Sequence, residues 1–233
     1  MQAGKPSQPR EVWFIRHAES VANAGGRTKE APSYPLSELG FRQAEQLAQV
    51  LTPAPDLIVV SPYLRARQTA EPYAKRIGTV PVEEWPVQEV QYLDPALCVN
   101  TTQDERRAMS IAYWETADAD YAAPNGESFV AFVGRAQAAL QRLMARTEAR
   151  TFVFCHGQLI SAVAWLIFTR PARIDSPAMR RFYQFVHSFA VPNCSVLPVY
   201  LHGEEHISVG GITVPAGVDS HAPHVAPAGL AGL

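Results

Sequence analysis

The fold of this chain is decided by one stretch near its start, Val12-Trp13-Phe14-Ile15-Arg16-His17-Ala18-Glu19-Ser20. The apolar first half predicts a short buried strand, which stops at Arg16 and His17 and is followed by small and polar residues. A strand that ends in this pair holds a guanidinium beside an imidazole at the mouth of a sheet. Because arginine binds phosphate oxygens with paired donors, the pair suits an anionic, phosphorylated ligand.

Length and charge restrict what else the chain can be. It has 233 residues, of which 47% are hydrophobic and 18% charged. A chain of this length can bury roughly 70 to 75% of its unfolded surface in one core, so one globular domain is expected. A formal net charge of -2 gives no broad positive surface for nucleic acid or an anionic membrane. Any anion site must therefore be local.

The cysteines and the most apolar segments indicate a cytoplasmic protein. Three cysteines stand far apart, without metal-ligand spacing or a disulfide pattern: Cys98, Cys155 and Cys194. The first ten residues are polar and contain no apolar core of signal-peptide length. The apolar stretch 151–168 begins with His156, Gly157 and Gln158, which are costly in a bilayer, so no transmembrane segment is predicted.

The apolar periodicity predicts strands and helices in alternation. Strands are expected at 12–15, 57–60, 151–155 and about 195–201, with a short extended piece near 80–90. Helices are expected after a cap at Ser37 and over about 64–77, 129–149 and 159–168. This order predicts an α/β fold, a three-layer αβα sandwich with a mostly parallel central sheet.

The organisation of the chain is predicted from the same pattern. A polar N-terminal lead, 1–10, precedes one domain at 11–205. Within that domain, 94–126 is rich in turn residues around a charged middle and predicts an insertion with one helix that ends near Ala119. Residues 206–233 are predicted to be a low-complexity C-terminal tail, because from Pro215 onward they are rich in alanine, proline and glycine.

Three of the predicted strands end beside the same kind of chemistry. Arg16 and His17 follow the first strand, Ser61-Pro62-Tyr63-Leu64-Arg65 follows the second, and His156-Gly157 follows the strand that ends at Cys155. Ligands of parallel sheets gather at the carboxyl ends of the strands. The sequence therefore predicts that two arginines and two histidines converge on one anion.

These motifs resemble the histidine phosphatase superfamily, the phosphoglycerate mutase-like clan. The resemblance is carried by Arg16-His17-Ala18-Glu19-Ser20-Val21-Ala22-Asn23, by Pro35-Leu36-Ser37-Glu38-Leu39-Gly40 with Gln43-Ala44, by Ser61-Pro62 with Leu64-Arg65-Ala66 and Thr69-Ala70, and by Cys155-His156-Gly157. Together they span about 11–201, and their order and spacing are specific although the first tetrad alone is weak evidence.

The resemblance implies a role for each matching residue. His17 becomes the nucleophile that forms a phosphohistidine, and its phosphoryl oxygens are surrounded by Arg16, Arg65 and His156. Substrate contacts are expected from Asn23, Gly157 and Gln158, the last two because unpaired amides at a helix start favour anions. Phosphoryl transfer depends mainly on positioning and charge stabilisation, which these residues supply without a metal or another cofactor.

Two glutamates compete to protonate the leaving group. In the phosphatase branch of the family the acid follows the middle strand in a Glu-hydrophobic motif, and Val87-Gln88-Glu89-Val90 stands at that place. Glu127, within Asn125-Gly126-Glu127-Ser128, resembles the Gly-Glu-Ser that opens the long helix. Glu89 is the first choice, and Glu127 is the alternative.

Most of the other cysteine, arginine and histidine residues are expected to have structural or surface positions. Cys155 is expected in the core, because neighbours on a strand point to opposite faces. Arg106 and Arg107 are read as a solvated helix face, with gripping a distal anionic group of the substrate as the alternative. Tyr92, Trp114 and Phe129 are candidate pocket walls. Surface positions are expected for the histidines without metal-ligand spacing: His187, His202, His206, His221 and His224.

The segment after Glu89 separates the expected function from its alternatives. A mutase of this family is expected to continue with Arg-His-Tyr-Gly, whereas this chain has Val90-Gln91-Tyr92-Leu93-Asp94-Pro95. It also lacks the Gly-x-Trp-Glu-Gly that many broad phosphatases show there. The sequence predicts a metal-independent phosphomonoesterase acting on a small phosphorylated metabolite, with no nucleic acid or membrane as a partner. The alternatives are a bisphosphoglycerate-dependent phosphoglycerate mutase and a non-catalytic phospho-ligand-binding pseudoenzyme; a homodimer is compatible with the sequence.

Overall fold

A single mixed sheet forms the centre of the molecule in the computed structural model, which describes residues 9–203 and 206–219. Within these residues the sheet has six strands: β1 Arg10–Arg16, β2 Leu57–Val60, β3 Val82–Glu84, β4 Arg150–Cys155, β5 Val196–His202 and β6 His206–Val209. Their spatial order is β3-β2-β4-β1-β5-β6. The first four strands along the chain pair in parallel, and β5 and β6 are antiparallel additions.

Helices cover both faces of the sheet. Within the described residues they are α1 Glu38–Val50, α2 Leu64–Ile77, α3 Pro95–Cys98, α4 Arg107–Thr116, α5 Phe129–Met144, α6 Gly157–Thr169 and α7 Ser176–Ser188. Successive residues of β1 alternate between the faces: Phe14 packs in the core under α5, α6 and α7, and Ile15 packs in the core under α1 and α2. The predicted three-layer sandwich with a mostly parallel sheet is confirmed.

The helix starts follow the local sequence. The Ser37 side chain accepts a hydrogen bond from the Gly40 amide at the start of α1, as the predicted cap requires, and Ser128 caps α5 through the Ala131 amide. Helix α7 is absent from the predicted elements, although Asp175 caps it and proline stands in its first turn. It supplies Phe182 to the core, where that ring is fully buried.

Two further regions differ from the prediction. The insertion at 94–126 contains two helices, α3 and α4, rather than one, and α4 ends at Thr116 because Ala117 adopts a left-handed conformation. The predicted tail is wrong at its beginning, since His206–Val209 forms β6 beside β5 and Thr213 bridges to Val196. Four residues of alternating pattern are too short to predict this strand, which depends on its pairing with β5.

The structure also bears on the expected absence of a transmembrane segment and on the cysteines. No helix within 9–203 and 206–219 is long and apolar enough to cross a membrane. The cysteines Cys98, Cys155 and Cys194 are unpaired and buried, which confirms that Cys155 lies in the core. Part of the predicted lead, residues 1–8, and part of the predicted tail, residues 220–233 with His221 and His224, lie outside the described residues.

The contact between α1 and the loop after β1 gives a stability prediction. A Cβ added at Gly40 would lie 1.9 Å from the Glu19 carbonyl oxygen, two residues after His17. Because backbone must move to relieve this clash, Gly40→Ala should lower the free energy of unfolding by about 1 to 3 kcal/mol or more. Urea denaturation measures the change.

Gly134→Ala is the matched control within α5. A Cβ at Gly134 meets no atom within 4 Å. Alanine in an open helical position should raise the free energy of unfolding by roughly 0.5 to 1 kcal/mol, because glycine loses more backbone freedom on folding. Equal effects of the two substitutions would contradict the packing described for Gly40.

Candidate active site

The parallel register brings three strand ends to one edge of the sheet. Arg16 is opposite Cys155 in the β1–β4 pair, and Val60 is opposite Phe154 in the β2–β4 pair. The chain continues the pattern beyond the strands, since the His17 amide donates to the Cys155 carbonyl at 3.0 Å. The rings of His17 and His156 consequently lie 5.1 Å apart, centroid to centroid. The predicted convergence of the strand ends is confirmed.

The hydrogen bonds of His17 define its protonation. Its Nδ1 lies 2.6 Å from the Ala18 carbonyl oxygen, which can only accept, so Nδ1 carries the proton. Its Nε2 accepts a hydrogen bond from Arg65 Nε at 3.1 Å and therefore holds the lone pair. Burial, followed by the charges of Arg65 and Arg16, lowers the pKa of His17 well below its usual value. The imidazole is therefore neutral at neutral pH.

Arg65 is held by α2 and by two aromatic rings. Its Nη1 donates to the Ala31 carbonyl at 3.0 Å, and its guanidinium carbon lies 4.9 Å from the Tyr63 ring and 5.3 Å from the Tyr34 ring. Such contacts stabilise a buried cation. Tyr63 stands two residues before Arg65, whereas Tyr34 comes from a separate segment of the chain, so no local motif predicts its contact.

Arg16 is the second cation of the site. One of its terminal nitrogens donates to the Val191 carbonyl, and its Nε is buried without a partner among the described residues. A Cβ at Gly157 would approach that Nε to 3.4 Å. Because Gly157 has no side chain, the Arg16 guanidinium can lie directly against the start of α6.

His156 is fixed by a serine that follows β2. Its Nε2 lies 2.8 Å from Ser61 Oγ, and the Tyr63 amide donates to the same oxygen at 3.3 Å. Its Nδ1 is buried and has no partner among the described residues. Burial, followed by the charges of Arg65 and His17, lowers the pKa of His156 well below its usual value. A neutral ring with one open nitrogen is a suitable partner for a phosphoryl oxygen.

Glu89 lies against the start of α6. Its carboxylate accepts hydrogen bonds from the Gln158 amide at 3.2 and 3.3 Å and from the Val90 amide at 3.3 Å. Burial raises the pKa of Glu89 and outweighs the opposing effects of Arg65, the Gln158 amide and Arg16. A carboxyl that keeps its proton above the ordinary range suits a general acid. The Gln158 amide, expected to bind substrate, instead binds this carboxylate.

Glu127 has a different partner. Its carboxylate forms two contacts with Arg135, from Nη2 to Oε1 at 2.6 Å and from Nε to Oε2 at 3.2 Å, and Oε1 also accepts from the Gln91 amide at 3.3 Å. Glu89 is electrostatically coupled to Arg16 and Arg65, whereas Glu127 is neutralised by Arg135. The two candidate acids therefore have different charged neighbours.

The side chain of Asn23 braces the loop that follows His17. Its oxygen accepts from the Ser20 amide at 3.2 Å, from Ser20 Oγ at 3.0 Å and from Asn193 Nδ2 at 3.3 Å. Asn193, which sequence reasoning missed, also donates to the His17 carbonyl at 2.9 Å. Asn193 precedes β5, and no motif around it signals a role; its contacts arise because β5 pairs beside β1.

Arg106 and Arg107, in the insertion, have different surroundings. Arg106 Nη1 donates to Thr28 Oγ1 at 2.9 Å and to the Thr101 carbonyl at 2.9 Å, so its reading as a solvated helix face is wrong. Arg107 is exposed. The candidate pocket wall Phe129 is completely buried and packs in the core.

Nowhere in the described part of the chain do three His, Cys, Asp or Glu side chains form a group able to hold a metal ion.

The family of the chain follows from comparison with known proteins. The family model described as histidine phosphatase superfamily (branch 1) matches residues 12–206. The chain belongs to the histidine phosphatase superfamily, which confirms the resemblance carried by the motifs around His17, Arg65 and His156.

Individual relatives include phosphatases and a mutase. The adenosylcobalamin/alpha-ribazole phosphatase of Salmonella typhimurium is 30% identical over 164 residues, covering 69% of this chain and 81% of that protein. The probable phosphoglycerate mutase GpmB of Proteus mirabilis is 26% identical over 221 residues, covering 93% and 96%. The native structure of mycobacterial glucosyl-3-phosphoglycerate phosphatase Rv2419c shares the fold with a TM-score of 0.66 and 24% identity, covering 89% and 98%. The predicted enzyme class, a histidine phosphatase, is confirmed.

The protonation of His17 is directly measurable. We expect long-range ¹H–¹⁵N NMR to show a neutral ring with its proton on Nδ1, persisting below the pH of about 6.5 at which an unperturbed histidine titrates. Arg65→Met should raise the pKa of His17, because the charge of Arg65 contributes to lowering it. A proton on Nε2, or titration at the unperturbed value, would contradict the described site.

Proposed function

We propose that this protein hydrolyses phosphate monoesters of small metabolites through a phosphohistidine on His17, with Glu89 as general acid and base. The observation that carries the proposal is the state of His17: Nδ1 is occupied by the Ala18 carbonyl, and the Nε2 lone pair lies beside a guanidinium. A neutral imidazole whose unprotonated nitrogen lies beside cations can attack an anionic phosphoryl group that those cations bind.

In the first step, His17 Nε2 attacks phosphorus while the ester P–O bond breaks. The Arg65 Nε–H that donates to His17 Nε2 must turn to donate to a phosphoryl oxygen instead. Arg65, Arg16 and His156 then stabilise the negative charge of the transition state. The departing alkoxide takes the proton of the Glu89 carboxyl, which its burial helps to retain. The products are phosphohistidine, a free alcohol and the Glu89 carboxylate.

In the second step, water replaces the alcohol. The Glu89 carboxylate takes a proton from the water as its oxygen attacks phosphorus, and the P–N bond to His17 breaks. Inorganic phosphate leaves, His17 returns to its neutral state, and Glu89 is again protonated. No metal is required, because the charge of the phosphoryl group is met by Arg16 and Arg65.

A mutase is the second candidate, and the observation in its favour is the similarity to probable phosphoglycerate mutase GpmB over 93% of this chain. The segment from Val90 to Pro95 supports the phosphatase instead, since the Arg-His-Tyr-Gly expected of mutases is missing. Isomerisation of phosphoglycerate by protein primed with a bisphosphorylated donor would favour the mutase. The pseudoenzyme alternative is disfavoured because His17, Arg65 and His156 occupy one site.

We further propose a cytoplasmic location and a small-molecule substrate. The cysteines Cys98, Cys155 and Cys194 are unpaired, as expected in a reducing compartment. The net charge of -2 gives no broad attraction for nucleic acid. The named relatives are an adenosylcobalamin/alpha-ribazole phosphatase and a glucosyl-3-phosphoglycerate phosphatase, which supports a small phosphorylated metabolite as the substrate class. A homodimer stays a prediction.

The covalent step gives the first activity prediction. Rapid quenching of the wild-type protein with p-nitrophenyl phosphate in the presence of a chelator should yield one acid-labile phosphoryl group per chain, seen by intact-mass spectrometry. His17→Asn should carry none and lose hydrolysis, because the attacking nitrogen is gone. His202→Asn, at an exposed histidine outside the site, should retain both. Hydrolysis that persists in His17→Asn would refute the proposal.

The acid gives a pH prediction. Glu89 must be protonated when the alkoxide leaves, and burial raises its pKa, so kcat/KM for an alkyl phosphate should fall on the alkaline side as Glu89 loses its proton. Glu89→Gln should lower kcat/KM by roughly 10²- to 10⁴-fold and remove that alkaline limb. A pH–rate profile of both proteins measures this, and an unchanged profile in the variant would argue for another acid.

A further inference from the structure

The segment that carries Glu89 has no regular secondary structure. After β3 ends at Glu84, the chain runs without helix or strand until α3 begins at Pro95. A general acid has to lie within hydrogen-bonding distance of the leaving oxygen, and small misplacements cost large factors in rate. Something other than a helix or strand must therefore hold Glu89 in place.

Arg135, on α5, binds this segment on the N-terminal side of Glu89. Its Nη1 donates to the Pro86 carbonyl at 3.0 Å and to the Gln88 carbonyl at 2.8 Å. Gln88 is the residue immediately before the candidate acid. The planar fork of arginine can hold several acceptors at fixed directions, which a flexible ammonium group cannot do.

Glu127, just before α5, binds the segment on the other side. Its Oε1 accepts from the Gln91 amide at 3.3 Å, and its own amide donates to the Gln91 carbonyl at 2.9 Å. The Glu127 carboxylate in turn receives both Nε and Nη2 of Arg135. The carboxylate and the guanidinium thus form one connected unit that holds backbone groups on both sides of Glu89.

The pair is shielded enough to be rigid. The side chains of Arg135 and Glu127 are 12% and 20% exposed, whereas those of the Arg67–Glu84 pair are 53% and 54% exposed. Shielded, bidentate pairs with further hydrogen bonds hold their geometry, while exposed pairs contribute little. Removing Arg135 would leave the Glu127 charge and the carbonyls of Pro86 and Gln88 without this partner.

We propose that Glu127 and Arg135 are positioning residues for the general acid, and we call them the acid clamp. The acid clamp fixes the backbone at Pro86, Gln88 and Gln91, so that the Glu89 carboxyl stays against the start of α6 and reaches the leaving oxygen. It makes no contact with the reacting atoms. This inference rests on the proposed function, in which Glu89 protonates the departing alkoxide.

The test uses substrates that differ in their need for an acid. Nitrophenolate leaves without a proton, whereas the alkoxide of an alkyl phosphate such as glycerol phosphate requires one. The value of kcat/KM includes binding and all steps through the first irreversible one, here loss of the leaving group. Arg135→Met should therefore lower kcat/KM for glycerol phosphate at least about tenfold more than for p-nitrophenyl phosphate.

Arg142→Met is the matched control on the same helix. Arg142 stands two turns after Arg135, pairs with Glu83 at 3.1 Å and lies 3.9 Å above the Trp85 ring, but contacts no backbone group around Glu89. This variant should change kcat/KM for the two substrates by the same factor. If Arg135→Met also lowers both values equally, its role is general stability or charge, and the acid clamp is refuted.

Two further variants keep the outcomes separable. Glu89→Gln should show the selective loss on glycerol phosphate most strongly; if it shows none, the assignment of the acid in the proposed function fails. If Glu89→Gln is selective and Arg135→Met is not, the acid clamp alone fails. If circular dichroism shows that Arg135→Met does not fold, Glu127→Gln provides the test. Its amide oxygen can still accept from the Gln91 amide, but the charge that pairs with Arg135 is lost. Selective loss in Glu127→Gln supports the acid clamp, and uniform loss contradicts it.

Discussion

The parallel pairing of β1 and β2 with β4 between them is the constraint on which the site depends. Because the three strands share one direction and a fixed register, whatever follows their last residues must meet at one edge of the sheet. His17 follows β1 and His156 follows β4, and Arg65 lies in the first turn of α2, the helix after β2. The backbone hydrogen bonds of the sheet therefore bring together site residues that are far apart in sequence.

Electrostatics then sets the protonation of the assembled groups. Burial and two guanidiniums keep His17 and His156 neutral, while burial helps Glu89 keep a proton. The same low-polarity surroundings thus favour an uncharged base and an uncharged acid beside fixed cations. An entering phosphate ester brings the negative charge that this arrangement otherwise lacks, so charge complementarity favours the transition state of phosphoryl transfer.

Sequence patterns predicted the layers of the fold and the meeting of His17, Arg65 and His156 at one edge of the sheet, because short-range signals define both. An apolar run followed by Arg16 and His17 is local information, and so is the Ser37 cap. The contact of Asn193 with the His17 carbonyl depends on tertiary pairing and left no sequence signal. The Gln158 amide was expected to bind substrate, whereas in the structure it donates to the carboxyl group of Glu89. Beyond Phe168 the strand at about 195–201 was predicted, whereas helix α7 and the four-residue strand β6 were not.

The central claim is that the Ala18 carbonyl directs chemistry to one nitrogen of His17. Two-dimensional NMR of the quenched phosphoenzyme, labelled with ¹⁵N in histidine, tests it by locating the phosphorus–nitrogen coupling. The account predicts phosphorus bonded to Nε2 of His17, with the proton remaining on Nδ1 against Ala18. Phosphorus on Nδ1, on His156 or on any other residue would contradict it.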